Sequence, residues 1–120
     1  MGLNIDMPLA GYVGINSFTV NTFRAAGTAV PNSLIVLDEA DDSTDYIVTF
    51  PTEEDSNLSP GDIIKVKNNT TTVTVTIDPG TVEGVADTIT LDDPDVDFEM
   101  IYVDSTFGWA VMQYLSLIHI

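Results

Sequence analysis

Residues 68–80 read NNTTTVTVTIDPG. Thr72, Thr74 and Thr76 alternate with Val73, Val75 and Ile77 before the run meets Asp78-Pro79-Gly80. A period of two is the mark of a strand with one buried face. Val73, Val75 and Ile77 are expected to face a core, and the three threonines to present hydroxyls on the other side. Asn68-Asn69-Thr70-Thr71 separates this strand from IIKVK (63–67), in which Ile64 and Val66 alternate with Lys65 and Lys67. Asn tolerates positive φ, so a hairpin joining the two runs is expected.

The same signature extends along the chain. INSFTVNTFR (15–24), SLIVLD (33–38), YIVTF (46–50), TITL (88–91), DVDFEMIYV (95–103) and WAVMQYLSLI (109–118) read as further strands, separated by turn residues. Pro60-Gly61 suits a type II turn, with Gly at the positive-φ position. Sustained helical periodicity is missing. Strands with one polar face point to antiparallel sheets. The expected fold is therefore all-β: an antiparallel β-sandwich, jelly-roll-like, with an irregular N-terminal arm. Residues 1–32 form the arm and first strand of this reading, and residues 33–120 the sandwich.

Charge narrows the function. The 120 residues hold 19 acids against three cations (Arg24, Lys65, Lys67), for a net charge of −16. Nucleic-acid binding needs cations to replace phosphate counterions, so no nucleic-acid partner is expected. An anionic membrane is disfavoured for the same reason. Copies of such a chain repel one another, so any self-association needs packing or screening to offset the repulsion. The absence of cysteine removes disulfides, thiolate catalysis and cysteine metal sites. MGLNIDMPLAGYVG lacks the basic and apolar regions of a secretory signal, and Asp6 stands where a myristoylation motif wants Ser or Thr. A soluble product made in a cytoplasm is expected.

No catalytic signature emerges, and a non-enzyme is expected. His119 is the only histidine and has no nucleophile motif. Gly11 and Gly14 lack the strand-to-helix setting of a phosphate loop. With 19 acids, a glycosidase-like carboxylate pair carries almost no information. The runs Asp38, Glu39, Asp41, Asp42, Asp45 and Asp92, Asp93, Asp95, Asp97, Glu99 offer oxygens to a hard cation. Neither has EF-hand spacing, and acids at period two are ordinarily a solvated face. No cofactor is expected. The sharper alternative is a calcium ion at Asp93, Asp95, Asp97 and Glu99, bridging subunits. Trp109 and the tyrosines (Tyr12, Tyr46, Tyr102, Tyr114) form either core and subunit interface or a stacking platform for sugars.

Residues 61–112 resemble a β module of virion proteins of tailed bacteriophages. The resemblance is carried by Gly61-Asp62-Ile63-Ile64, Val73–Ile77, Thr81-Val82-Glu83-Gly84, Thr88–Leu91, Val96–Val103 and Gly108-Trp109-Ala110-Val111. Asp92-Asp93-Pro94-Asp95 departs from the small turn usual before the alternating strand. Such modules occur in tail fibres, spikes and head decoration (cement) proteins, and many assemble as trimers. The resemblance implies a structural role on the virion surface, with the major capsid protein or another virion protein as partner and a homotrimer as the assembly. It carries over no catalytic residue. A capsid decoration protein is the first expectation. A carbohydrate-binding tail-fibre or spike module and a self-assembling β filament subunit are the alternatives. Interfaces are expected at Thr72, Thr74 and Thr76, at Leu9, Tyr12 and Ile15 of the arm, and at Trp109 and Tyr114. The closing LSLIHI resembles translated sequencing-adapter DNA, so His119 is given no role.

Overall fold

The computed structural model describes residues 18–94 and 96–115, apart from the side chains of 55, 56 and 113–115. The strands are β1 (Thr19–Phe23), β2 (Gly27–Thr28), β3 (Ser33–Leu37), β4 (Tyr46–Thr49), β5 (Ile63–Asn68), β6 (Val75–Val82), β7 (Val85–Leu91), β8 (Asp97–Asp104) and β9 (Gly108–Leu115). A single helical turn, α1 (Glu53–Ser56), lies between β4 and β5. The chain is all-β, as its periodicity predicts, and the eight expected strands all form. β2 is the addition: its two residues sit in a small-residue loop with no alternation to announce them.

The antiparallel expectation is corrected. Hydrogen bonds link the strands in the order β1-β3-β5-β8-β9-β6-β4-β2, with β7 paired to the other side of β6, in one nearly closed, barrel-like sheet. Five ladders are parallel: β1–β3, β3–β5, β2–β4, β4–β6 and β6–β9. Three are antiparallel: β5–β8, β8–β9 and β6–β7. The cause is the route of the chain. It alternates between a first wall (β1, β3, β5, β8, β9) and a second wall (β2, β4, β6, β7). Neighbours within a wall are separated by an excursion to the other wall, and so run the same way.

The hairpin expected between β5 and β6 is likewise corrected, since β5 pairs with β3 and β8 instead. Asn68 is buried rather than turned out: its amide donates to the Asp93 carbonyl, and its oxygen accepts from the Thr70 hydroxyl. Nor does Asp78-Pro79-Gly80 end β6. Pro79 has no N–H for a ladder, and Gly80 takes φ of +87°, so the strand bulges there and continues. The true turn is Glu83-Gly84, with φ of +50° and +88°, the geometry of a tight two-residue hairpin. Pro60-Gly61 turns as expected, with Gly61 at +96° and the Asp62 N–H donating to the Ser59 carbonyl.

Inward-facing residues of both walls share one core. Val73, Val75 and Ile77 of the opening stretch lie in it, with Ile35, Leu37, Val48, Ile64, Val66, Phe98 and Met100. Trp109 is at its centre, 1% exposed, edge-on to Phe50 at 4.9 Å and tilted against Tyr102 at 5.4 Å. Gly108 makes this placement feasible. It adopts φ of +76°, and a Cβ there would lie 2.1 Å from the Thr81 carbonyl oxygen. Gly84 also has positive φ, but nothing lies within 4 Å of where its Cβ would be. Gly108→Ala is therefore expected to cost more than ~3 kcal/mol, from strain plus overlap, and Gly84→Ala only ~1–2 kcal/mol, from strain alone. Urea unfolding of the two variants beside the parent chain checks the ordering.

Candidate functional site

The crossings between the walls are held by carboxylates. The β5–β6 crossing runs through residues 69–74 and exposes a succession of N–H groups. Such a run forms a concave nest for an anion. Here the anion is supplied from within: Glu39, on the β3–β4 crossing, accepts from the N–H groups of Thr71, Thr72 and Val73 and from the hydroxyls of Thr71 and Thr72. Asp45, on the same crossing, takes the next N–H, that of Thr74, at 2.8 Å. The side-chain bond from Thr71 is the largest of the effects that hold the Glu39 carboxyl at about 2, followed by the backbone bond from the same residue. Nothing in the acidic run 38–45 marked Glu39 out. Its role depends on the fold bringing residues 39 and 71 together.

Buried tyrosines tie other parts of the structure. The Tyr46 hydroxyl lies 2.6 Å from the Asp38 carbonyl and 2.9 Å from that of Phe23, bringing β4 of the second wall to β1 and β3 of the first. Burial pushes its phenol up to about 12. Tyr102 donates to Glu53 Oε2 at 2.5 Å and is likewise raised to about 12, first by burial and then by that carboxylate. This pair lies in a cavity of about 530 Å³ that also touches Glu54, Pro79, Thr81 and Trp109.

The expected interface residues separate into distinct roles. Thr72 is exposed, but its N–H and hydroxyl are engaged by Glu39, and it precedes β6 rather than belonging to it. Thr74 is half-buried beside Asp45. Thr76 sits in the middle of the second wall, opposite Ile47 on one side and Thr90 on the other. Trp109 is corrected: at 1% exposure it serves the core and presents no ring face to a partner or a sugar. Leu9, Tyr12 and Ile15 lie outside the described residues, as does the side chain of Tyr114, whose backbone pairs with Phe98.

The acids named for calcium are not gathered at one point. Asp93 is in the exposed loop before β8, and Asp95 lies outside the described residues. Asp97 and Glu99 stand opposite Lys67 and Lys65 across the β5–β8 ladder. Asp97 Oδ2 is 3.5 Å from Lys67 Nζ, an exposed pair worth about 0–1 kcal/mol. Among the described residues, no three His, Cys, Asp or Glu side chains converge on one metal position.

The outer surfaces of the two walls differ in charge. The first wall shows Lys65, Lys67, Asp97 and Glu99, with an exposed Val20. The second shows Thr28, Ile47, Thr49, Thr76, Thr88 and Thr90. Sequence reading found the β6 part of this surface from its alternation. It missed Ile47, Thr49, Thr88 and Thr90, whose placement beside β6 is decided by strand order. A scan against protein-family models and a search of curated proteins find no match to this chain.

Glu39 yields a prediction with a defined pH window. Its folded pKa of about 2 lies below the unattached value of 4.5, so its contribution to stability is present above 4.5. That contribution is lost as pH falls from there through about 2. Glu39→Gln, which turns an amide NH2 toward N–H donors, is expected to destabilise at pH 7. The difference from the parent chain should shrink steadily on acidification. Thermal unfolding of both chains between pH 7 and 2 checks it; a difference that does not vary with pH would remove the carboxylate from this role.

Proposed function

We propose that this chain is a structural virion protein, a capsid decoration (cement) protein of a tailed bacteriophage that binds across major capsid subunits. One observation supports the reading above the others: the residues that carry the phage-module resemblance are architectural. Gly61 makes the turn into β5. Val75 and Ile77 fill the core, Glu83-Gly84 close the β6–β7 hairpin, and Gly108 lets Trp109 pass under Thr81. A signature spent on packing suits a part whose work is to be rigid and to present surfaces. Two walls facing each other over a single core are the sandwich-like element of the same reading.

The mechanism is burial of strand faces, and of the N-terminal arm, across subunit boundaries. Weak contacts repeated over a lattice sum to stable attachment. The acids face solvent, and a homotrimer is the proposed unit. The carbohydrate-binding alternative is less favoured, because the one tryptophan is enclosed by Phe50 and Tyr102.

The test is direct. Purified protein is added to expanded capsids from which decoration has been removed, and binding is read by co-sedimentation and cryo-electron microscopy. Ordered density between major capsid subunits is the expected result. No binding to capsids, together with density on a tail fibre or binding in a glycan array, would replace this reading with the carbohydrate-binding one.

A further inference from the structure

Strands β4, β6 and β7 present a contiguous outer surface. Ile47, Thr76 and Thr90 form one row across the three strands, and Thr28 and Thr49 lie in the next. Thr88 stands two residues from Thr90 on β7 and so shares its face. Ile47 is 51% exposed, an unusual degree for an isoleucine at the middle of a ladder. The acids at the rim are turned toward the backbone. Asp45 accepts from the N–H of Thr74, Asp78 from that of Gly80, and Asp87 from that of Thr88. None of the chain's three cations lies on this wall. β7 also leaves its outer edge without a ladder partner among the described residues. It is the most open long strand, with Val85 62% exposed. Free edges of this kind invite another strand or face to cover them.

Charge decides what covers it. A foreign partner adapted to a chain of net charge −16 would bring cations and meet the acids. A second copy brings the same acids, and near a symmetry axis each residue meets its own counterpart, so every charge there meets its like. Only a surface without free charge can lie on such an axis. We infer that copies of this chain associate through the β4–β6–β7 wall, with Ile47, Thr76 and Thr90 nearest the axis and β7 at the seam. The inference rests on the self-association proposed above and names the surface that performs it.

The test uses sedimentation velocity on the full chain, with Thr49→Glu and Thr90→Glu as wall variants and Thr22→Glu, exposed on the first wall, as the control. Each position is exposed, and urea unfolding verifies that each variant folds. The expected result is an oligomer for the parent chain and the control, weakened roughly tenfold or more by either wall variant. Added salt should tighten the parent oligomer, since shortening the screening length from ~10 Å to ~3 Å removes repulsion without breaking a charged contact. An oligomer indifferent to both wall variants, or weakened equally by Thr22→Glu, overturns the inference and leaves capsid binding standing. A parent chain that stays monomeric overturns both the inference and the trimer, and the capsid assay then reads the decoration role separately.

Discussion

The two walls of this sheet are joined, among the described residues, by one bridge: Trp109 of β9 beside Val82 of β6. Everything else in the architecture accommodates that meeting. The Glu83 N–H donates to the Trp109 carbonyl and the Gly84 N–H to that of Phe107, fastening the hairpin tip to β9. Gly108 gives up its side chain so that the strands can approach, and the indole then fills the space between the walls. Far from the bridge, the Tyr46 hydroxyl reaches the Asp38 and Phe23 carbonyls and draws β1 toward the second wall. The barrel is thus pinned at a buried tryptophan and at a buried tyrosine, with a continuous apolar core between them.

A chain so acidic has to dispose of its carboxylates, and many of them are used locally. Glu39, Asp45, Asp78, Asp87 and Asp104 each accept backbone N–H groups in turns and crossings. A charge-assisted bond of this kind is stronger than a neutral one and satisfies donors that short crossings would leave without a ladder. Acidity is in this sense part of the fold. It supplies caps where the chain leaves one wall for the other. It also leaves one outer wall carrying threonine and isoleucine instead of ions, and the proposals for assembly begin from that contrast.

Local order was legible in the residues themselves. Alternation over 72–77 placed Val73, Val75 and Ile77 inside, and Pro60-Gly61 announced its turn. What misled was proximity in sequence. Asn68-Asn69 has the composition of a hairpin turn, but Asn68 is buried, and its chain crosses to the other wall. Trp109 has the appearance of a binding aromatic, but Gly108 sends it inward. In both cases a long-range contact, Asn68 with Asp93 or Trp109 with Phe50, outweighed the local preference.

By itself the sequence determined that the chain is all-β, which faces of β5, β6 and β8 are buried, and that like-charge repulsion governs its encounters with other copies. These follow from residue type and a period of two, both local properties. Strand order was decided only in three dimensions. A parallel ladder joins segments separated by a whole excursion, and nothing in either segment names its neighbour. The clamp of Glu39 on residues 71–73 and the row Ile47–Thr76–Thr90 exist because of that order. Each unites residues about 14 to 32 positions apart that carry no mark of one another until the walls close.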